Sequence, residues 1–203
     1  MTAVCGATFR WIYLLAAMAV ATALPLGALQ AADKFTGLDP ASPQPKDGDL
    51  AAGLSVDYYF EFFQDIQELI EWTEVFKGEP GEPLLTLDNH VGQGDVLTSG
   101  RSNGVGAWIK GFIRFEKGLY DLQVNSNDGV RVTIGGQQIY EDPFIHADRM
   151  SDPLPVEITE AGWYPMEILY FEKKNTSTLQ LFWRVPDSQE FAIVPGSALA
   201  HEK

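Results

Sequence analysis

Between Val105 and Val194 the chain is a succession of short runs in which apolar and polar residues alternate. Val105–Phe115 (VGAWIKGFIRF), Gly118–Asn125 (GLYDLQVN), Val130–Ile134 (VRVTI) and Gln138–Tyr140 are rich in β-branched and aromatic residues. Turn residues punctuate them at Glu116-Lys117-Gly118, Asn127-Asp128-Gly129 and Gly135-Gly136. The rhythm continues through Leu154–Thr159, Gly162–Phe171, Thr178–Arg184 and Glu190–Val194. A period of two marks strands buried on one face, and short strands at this spacing imply an antiparallel sandwich or barrel. The alternation predicts Trp108, Tyr120, Val132, Ile134, Trp163, Ile168, Tyr170, Leu181 and Trp183 pointing inward. Upstream, Leu54–Phe60 (LSVDYYF) also alternates. Phe62, Phe63, Ile66, Leu69 and Ile70 instead recur at three- and four-residue spacing, which predicts one short amphipathic helix ending before Gly78. The fold class is therefore all-β, with one short N-terminal helix.

The first residues follow another pattern. Arg10 is the only charged residue before Asp33, and Trp11–Leu29 is an apolar stretch that leads to small residues at Ala28, Ala31 and Ala32. Positive start, apolar middle and small-residue end are the order of a secretory signal peptide, here residues 1–31. The uncharged stretch is also long enough to serve as a retained anchor across about 30 Å of bilayer. Pro25 near its end favours cleavage. Both readings place the domain outside the cytoplasm, and only an uncleaved signal would tie it to a membrane. Residues 32–53, with their scattered Pro and Gly, read as a flexible linker, although Phe35 and Leu38 could lie along the domain surface. The β domain then occupies residues 54–200.

Charge narrows the partners. The 28 acids exceed the 14 Lys and Arg, giving −14 over 203 residues. Such a surface repels phosphate backbones, so nucleic acid is excluded as a partner, and it favours cations. The single cysteine, Cys5, lies in the signal segment, so the mature chain has neither a disulfide nor a thiol nucleophile. The domain must be held by its core.

Chemistry-bearing groups are scattered. Asp88 with His90, and Asp142 and Asp148 with His146, could ligate a metal or act as acid–base pairs; as solvated loops their histidines need only local hydrogen bonds. Gly100-Arg101-Ser102-Asn103-Gly104 reads as a loop, and no His-Glu-x-x-His motif occurs. Many acids on one surface make accidental carboxylate pairs, so a glycosidase reading has no specific support. The chain is expected not to be an enzyme. On its residues alone, Asn127-Asp128-Gly129 is an ordinary hairpin turn. In such a turn Asp128→Asn would cost little.

Two segments taken together resemble the PA14 domain family. The first supplies Gly118-Leu119-Tyr120, Ser126-Asn127-Asp128-Gly129 and Ile134-Gly135-Gly136. The second supplies Ala161-Gly162-Trp163-Tyr164, Tyr170-Phe171-Glu172 and Leu181-Phe182-Trp183-Arg184-Val185-Pro186. Gly53–Tyr59 and Trp108–Ile113 resemble the family's first strand and its Trp-x-Gly strand, so the likeness covers about residues 53–195. It implies an antiparallel β-sandwich and a non-catalytic exported module that binds glycans or a cell-envelope component. A structural or assembly module that contacts protein, and a glycan-active enzyme, are the alternatives. In the family's sugar-binding adhesins two adjacent Asp joined by a cis peptide hold a calcium that also contacts glycan hydroxyls. Here the pair is Asn127-Asp128, which loses one carboxylate, and Glu172 falls where an Asn ligand stands and could restore the charge. The resemblance thus points to Asn127, Asp128 and Glu172 for calcium and ligand, with calcium as the one cofactor to expect.

Overall fold

The computed structural model describes residues 1–2 and 34–203. The expected signal segment otherwise falls outside the described residues, and so does the start of the linker. The elements run β1 (Leu50–Ala52), β2 (Ser55–Tyr59), α1 (Ile66–Val75), β3 (Glu79–Pro80), β4 (Asp88–Val91), β5 (Val105–Phe115), β6 (Gly118–Asn127) and β7 (Val130–Ile134). They continue with β8 (Gln137–Asp142), β9 (Arg149–Met150), β10 (Leu154–Ile158), β11 (Gly162–Glu172), β12 (Ser177–Arg184), β13 (Ala192–Ile193) and β14 (Leu199–Glu202). Every pairing between these strands is antiparallel, in two sheets. The larger is ordered β1-β14-β5-β11-β7-β8, with β2 and β3 attached beside β5; the smaller is β10-β6-β12-β13, with β4 on β12 and β9 on β6. This is the β-sandwich that the alternation predicts.

The core lies between the inner faces. Ile109, Ile113 and Phe115 of β5 meet Ile168 and Tyr170 of β11, and across from them Tyr120, Leu122, Leu179 and Leu181. Phe115 packs edge-on to Tyr120 and Tyr164, with ring centroids 4.9 and 5.7 Å apart. Burying side chains of this size stabilises by roughly 1.5–3 kcal/mol each, and offsets the absence of disulfides.

Seven of the nine residues expected inward are so, Trp183 only partly; Trp108 and Trp163 are not. On β5 the inward parity belongs to Ala107, Ile109 and Ile113, and on β11 to Tyr164, Met166, Ile168 and Tyr170. A strand shows each face only every second residue, so the tryptophans, one position out of step, must face the other way. Trp108 packs beneath α1 with Phe63, Leu69, Leu169 and Phe171, a second small core on the outer face of the larger sheet.

The helix begins later than its periodicity suggested. Asp65 is its N-cap and accepts from the Glu68 amide at 2.9 Å, while the Glu68 carboxylate accepts from the Gln64 amide at 2.8 Å. Phe63, fully buried, belongs to the approach and not to the helix. Asp65→Ala should cost about 1 kcal/mol. In a domain of this size that is about 2–4 °C of melting temperature, measured by thermal denaturation.

The segment expected as a linker is instead bonded to the sandwich from Phe35 onward. Phe35 exchanges backbone hydrogen bonds with Pro155 and Glu157, both at 2.9 Å; the Asp39 amide donates to Gly135 O and the Ala41 amide to Trp163 O. Residues 50–52 then form β1 on β14. Isolated anchors such as Phe35 and Leu38, set among prolines, carry no periodicity, which is why the strap reads as a linker in sequence. Among the described residues no helix is long and apolar enough to cross a membrane.

Candidate functional site

Strand β6 runs two residues further than its alternation suggested, so Asn127 closes a strand, and the peptide to Asp128 is cis. The chain then passes Gly129 into β7. A side chain at Gly129 would strike the Phe171 ring and sit 2.9 Å from the Pro143 carbonyl oxygen, so only glycine fits. Tyr170, fully buried on β11, donates its hydroxyl to the Asn127 carbonyl at 2.7 Å. The Asp128 amide donates to Phe171 O and the Phe171 amide to Gly129 O, so the pairing with β11 already begins before the first residue of β7.

The Asp128 side chain joins two loops. Its Oδ1 accepts from the His146 amide at 3.0 Å and its Oδ2 from the Lys173 amide at 2.9 Å. Those loops wall a cleft of 470 Å³ lined by Asn127, Asp128, Ile145, His146, Lys173 and Thr176, among others. A larger open groove of 560 Å³ lies on the outer face of the larger sheet, along Lys110, Phe112, Pro165 and Glu202. It contains none of the expected site residues.

Glu172 ends β11 on the same face as Tyr170 and is completely buried. Among the described residues neither of its carboxylate oxygens has a hydrogen-bond partner. The nearby Gly104 amide donates to the Lys173 carbonyl at 3.1 Å and pulls the Glu172 carboxyl down, less than burial and charge push it up. Burial, and then the Asp128 charge, push the Glu172 carboxyl up to about 7. Burial likewise raises Asp128, against the pull of the two amides that it accepts. An ionised carboxylate with no partner is expensive inside a protein, and two side by side are worse.

The histidine loops meet here too. Pairing of β4 with β12 sets His90 opposite Thr178, with Nδ1 3.0 Å from the hydroxyl. Asp148 accepts from Thr178 Oγ1 at 2.9 Å and from Asn127 Nδ2 at 3.0 Å. His146 is buried, its Nε2 3.3 Å from Asp142, which also takes Arg149 Nη1 at 2.6 Å. Asp88 only accepts from Gln180. Thr176, a loop residue with no motif, was not legible as a site residue. It comes to Asn127 through the β11–β12 hairpin and accepts from its Nδ2 at 2.7 Å.

Among the described residues no three His, Cys, Asp or Glu side chains group closely enough to hold a metal by themselves. The candidate donors are two carboxylates and one amide oxygen, all hard oxygens of the kind calcium takes. The oxygens of Glu172 fit a cation, since among the described residues no hydrogen bond or ion pair reaches them.

The PA14 domain family pattern matches residues 99–197. No curated protein matches the chain. Among solved structures, the PA14 domain of the antifreeze protein MpAFP superposes with a TM-score of 0.63 at 15% identity, covering 79% of this chain and 96% of that one. A PA14 sugar-binding domain from an RTX adhesin gives 0.62 at 17% identity, covering 74% and 99%. The epithelial adhesin 9 A domain of Candida glabrata, solved with Galβ1-4GlcNAc, gives 0.64 at 11% identity, covering 83% and 97%. At these identities the likeness is one of fold. Family match, sandwich topology and the motif order along β6, β7, β11 and β12 agree: this chain carries a domain of the PA14 family.

Proposed function

We propose that this chain is an exported, non-catalytic carbohydrate-binding module whose site is the cleft at Asn127 and Asp128, with calcium held by Asn127, Asp128 and Glu172. The observation that carries the reading is Glu172, a buried carboxylate beside a second one, with no hydrogen-bond partner for either oxygen among the described residues. A divalent cation supplies the missing counter-charge, and calcium in particular keeps open positions for the hydroxyls of a diol. Asp128 also holds both cleft loops by their amides, so metal and walls share one residue. Two structural neighbours are a sugar-binding adhesin domain and an adhesin domain solved with a disaccharide. The surplus of 14 negative charges disfavours sialylated or sulfated ligands. The ligand class is therefore a neutral glycan.

The deciding experiment is a glycan array on the domain without its signal, run in millimolar calcium and again in chelator. Calcium-dependent binding to neutral glycans, abolished by Asp128→Ala, is the expected result. Silence of the array in both conditions overturns the reading. One observation favours a protein ligand in that event: Phe144 and Ile145, at the edge of the cleft, are 63% and 45% exposed. An assembly module would bind through such apolar side chains.

A further inference from the structure

We propose that Asp148 is a positioning residue that makes Asn127 an oxygen ligand, so that an amide and an outer carboxylate together replace a carboxylate at position 127. The inference rests on the calcium reading of the cleft.

An asparagine can turn either end of its amide toward a ligand, and only the carbonyl end suits a cation. Here the choice is made by its neighbours. Asn127 Nδ2 spends one N–H on Asp148 Oδ1 at 3.0 Å and the other on Thr176 Oγ1 at 2.7 Å. A carboxylate only accepts, so the atom that faces Asp148 must be the nitrogen. Oδ1 takes no hydrogen bond among the described residues, and Asn127 lines the cleft. The oxygen is left for whatever the cleft binds.

Asp148 is itself held from two strands. Thr178 Oγ1, on β12, donates to the same Oδ1 at 2.9 Å, and His90 Nδ1, on β4, lies 3.5 Å from Oδ2. The negative charge that Asn127 lacks is therefore present one bond further out. It polarises the amide so that the partial charge on Oδ1 grows, as carboxylates do for histidine ligands in metal sites.

This arrangement predicts that the value of a carboxylate at 148 depends on the residue at 127. With Asn127, Asp148 holds the amide. With an aspartate at 127, Asp148 would face a second carboxylate where the nitrogen stood, and the two would repel.

The test is calcium titration by calorimetry on the domain without its signal, with Asp148→Ala, Asp148→Asn, Asn127→Asp and the double variant Asn127→Asp/Asp148→Asn. Asp148→Ala should weaken calcium binding about 10-fold or more, the usual size for loss of such an outer partner. Asp148→Asn keeps an oxygen that can accept from Asn127 but loses the outer charge, and should fall between Asp148→Ala and wild type. Asn127→Asp alone should bind no tighter than wild type, and the double variant tighter than either parent. A merely structural role for Asp148 would not reverse sign with residue 127. Because Asp148 is 40% exposed, its loss leaves the core intact. Exchange of the Asn127 side-chain N–H protons by NMR in chelator gives a calcium-free readout, slow in wild type and faster in Asp148→Ala.

Unchanged calcium affinity in Asp148→Ala, or an Asn127→Asp variant that binds tighter with Asp148 in place, overturns the inference and leaves the cleft reading standing. A wild type that binds no calcium overturns both.

Discussion

In chelator, the wild-type domain is expected to lose on the order of 3 kcal/mol of stability between pH 4.5 and pH 8, and Glu172→Gln to lose much less. The Glu172 carboxyl is raised from 4.5 to about 7 by burial and by the Asp128 charge. Within that window the folded state holds a proton that the unfolded chain has already released. Raising the pH therefore strips the folded state alone, and stability falls until Glu172 is fully ionised. At about 1.4 kcal/mol for each pH unit that separates the folded carboxyl from the unfolded one, the loss approaches 3 kcal/mol, or roughly 6–12 °C of melting temperature for a domain of this size. The raised carboxyl of Asp128 acts in the same direction. Glutamine cannot ionise, so the variant should keep only the part of the fall that the raised Asp128 carboxyl contributes. Calcium at about 100 times its dissociation constant should return about 2.7 kcal/mol to the wild type at pH 8, and much less to the variant, which has lost a ligand charge. Two parallel pH profiles in chelator, wild type falling no more than the variant, would dispose of the buried unpaired carboxylate and of the argument for a cation at it.

The strands were legible because a half-buried strand must alternate. β5 and β7 run over the residues that the pattern marks, 105–115 and 130–134. The parity of the tryptophans was not legible. In WIKGF and GWYPM an aromatic on the outer face looks as good as one inside, and only the small core under α1 partly covers Trp108 there. β4, β9 and β14 are short, and their partners lie far off in sequence, as in Thr178↔His90 and Asn125↔Met150. Nothing local announces them. The candidate site was half legible. Its turn could be found through the Asn-Asp-Gly signature and the family resemblance, and Glu172 only through the resemblance. The isolation of Glu172 and the hold of Asp148 on Asn127 arise from four strands meeting at one end of the sandwich, and that is a property of register, not of motif.

Register also changes what should happen at Asp128. As a plain hairpin turn the site would accept Asp128→Asn at little cost. The structure predicts otherwise, because the two oxygens each take a backbone N–H, from His146 and from Lys173. Net contributions of hydrogen bonds to charged acceptors run at about 1.5–3 kcal/mol each. Asp128→Ala removes both and leaves two loops without their common anchor. Part of that loss is returned, since Glu172 no longer faces a second carboxylate and its ionisation becomes cheaper. The expected net cost is about 2–4 kcal/mol, a fall of roughly 5–15 °C in chelator. Asp128→Asn keeps one acceptor but turns an NH₂ toward the other amide, two donors face to face, and should fall between alanine and wild type. Amide hydrogen exchange makes the cause visible: the His146 and Lys173 amides should exchange much faster in both variants, while those in the centres of β5 and β11 slow down or speed up only with global stability. If Asp128→Ala melts within about 2 °C of wild type and both amides keep their protection, Asp128 does not hold the cleft together. The loss of glycan binding in that variant would then report the metal site alone.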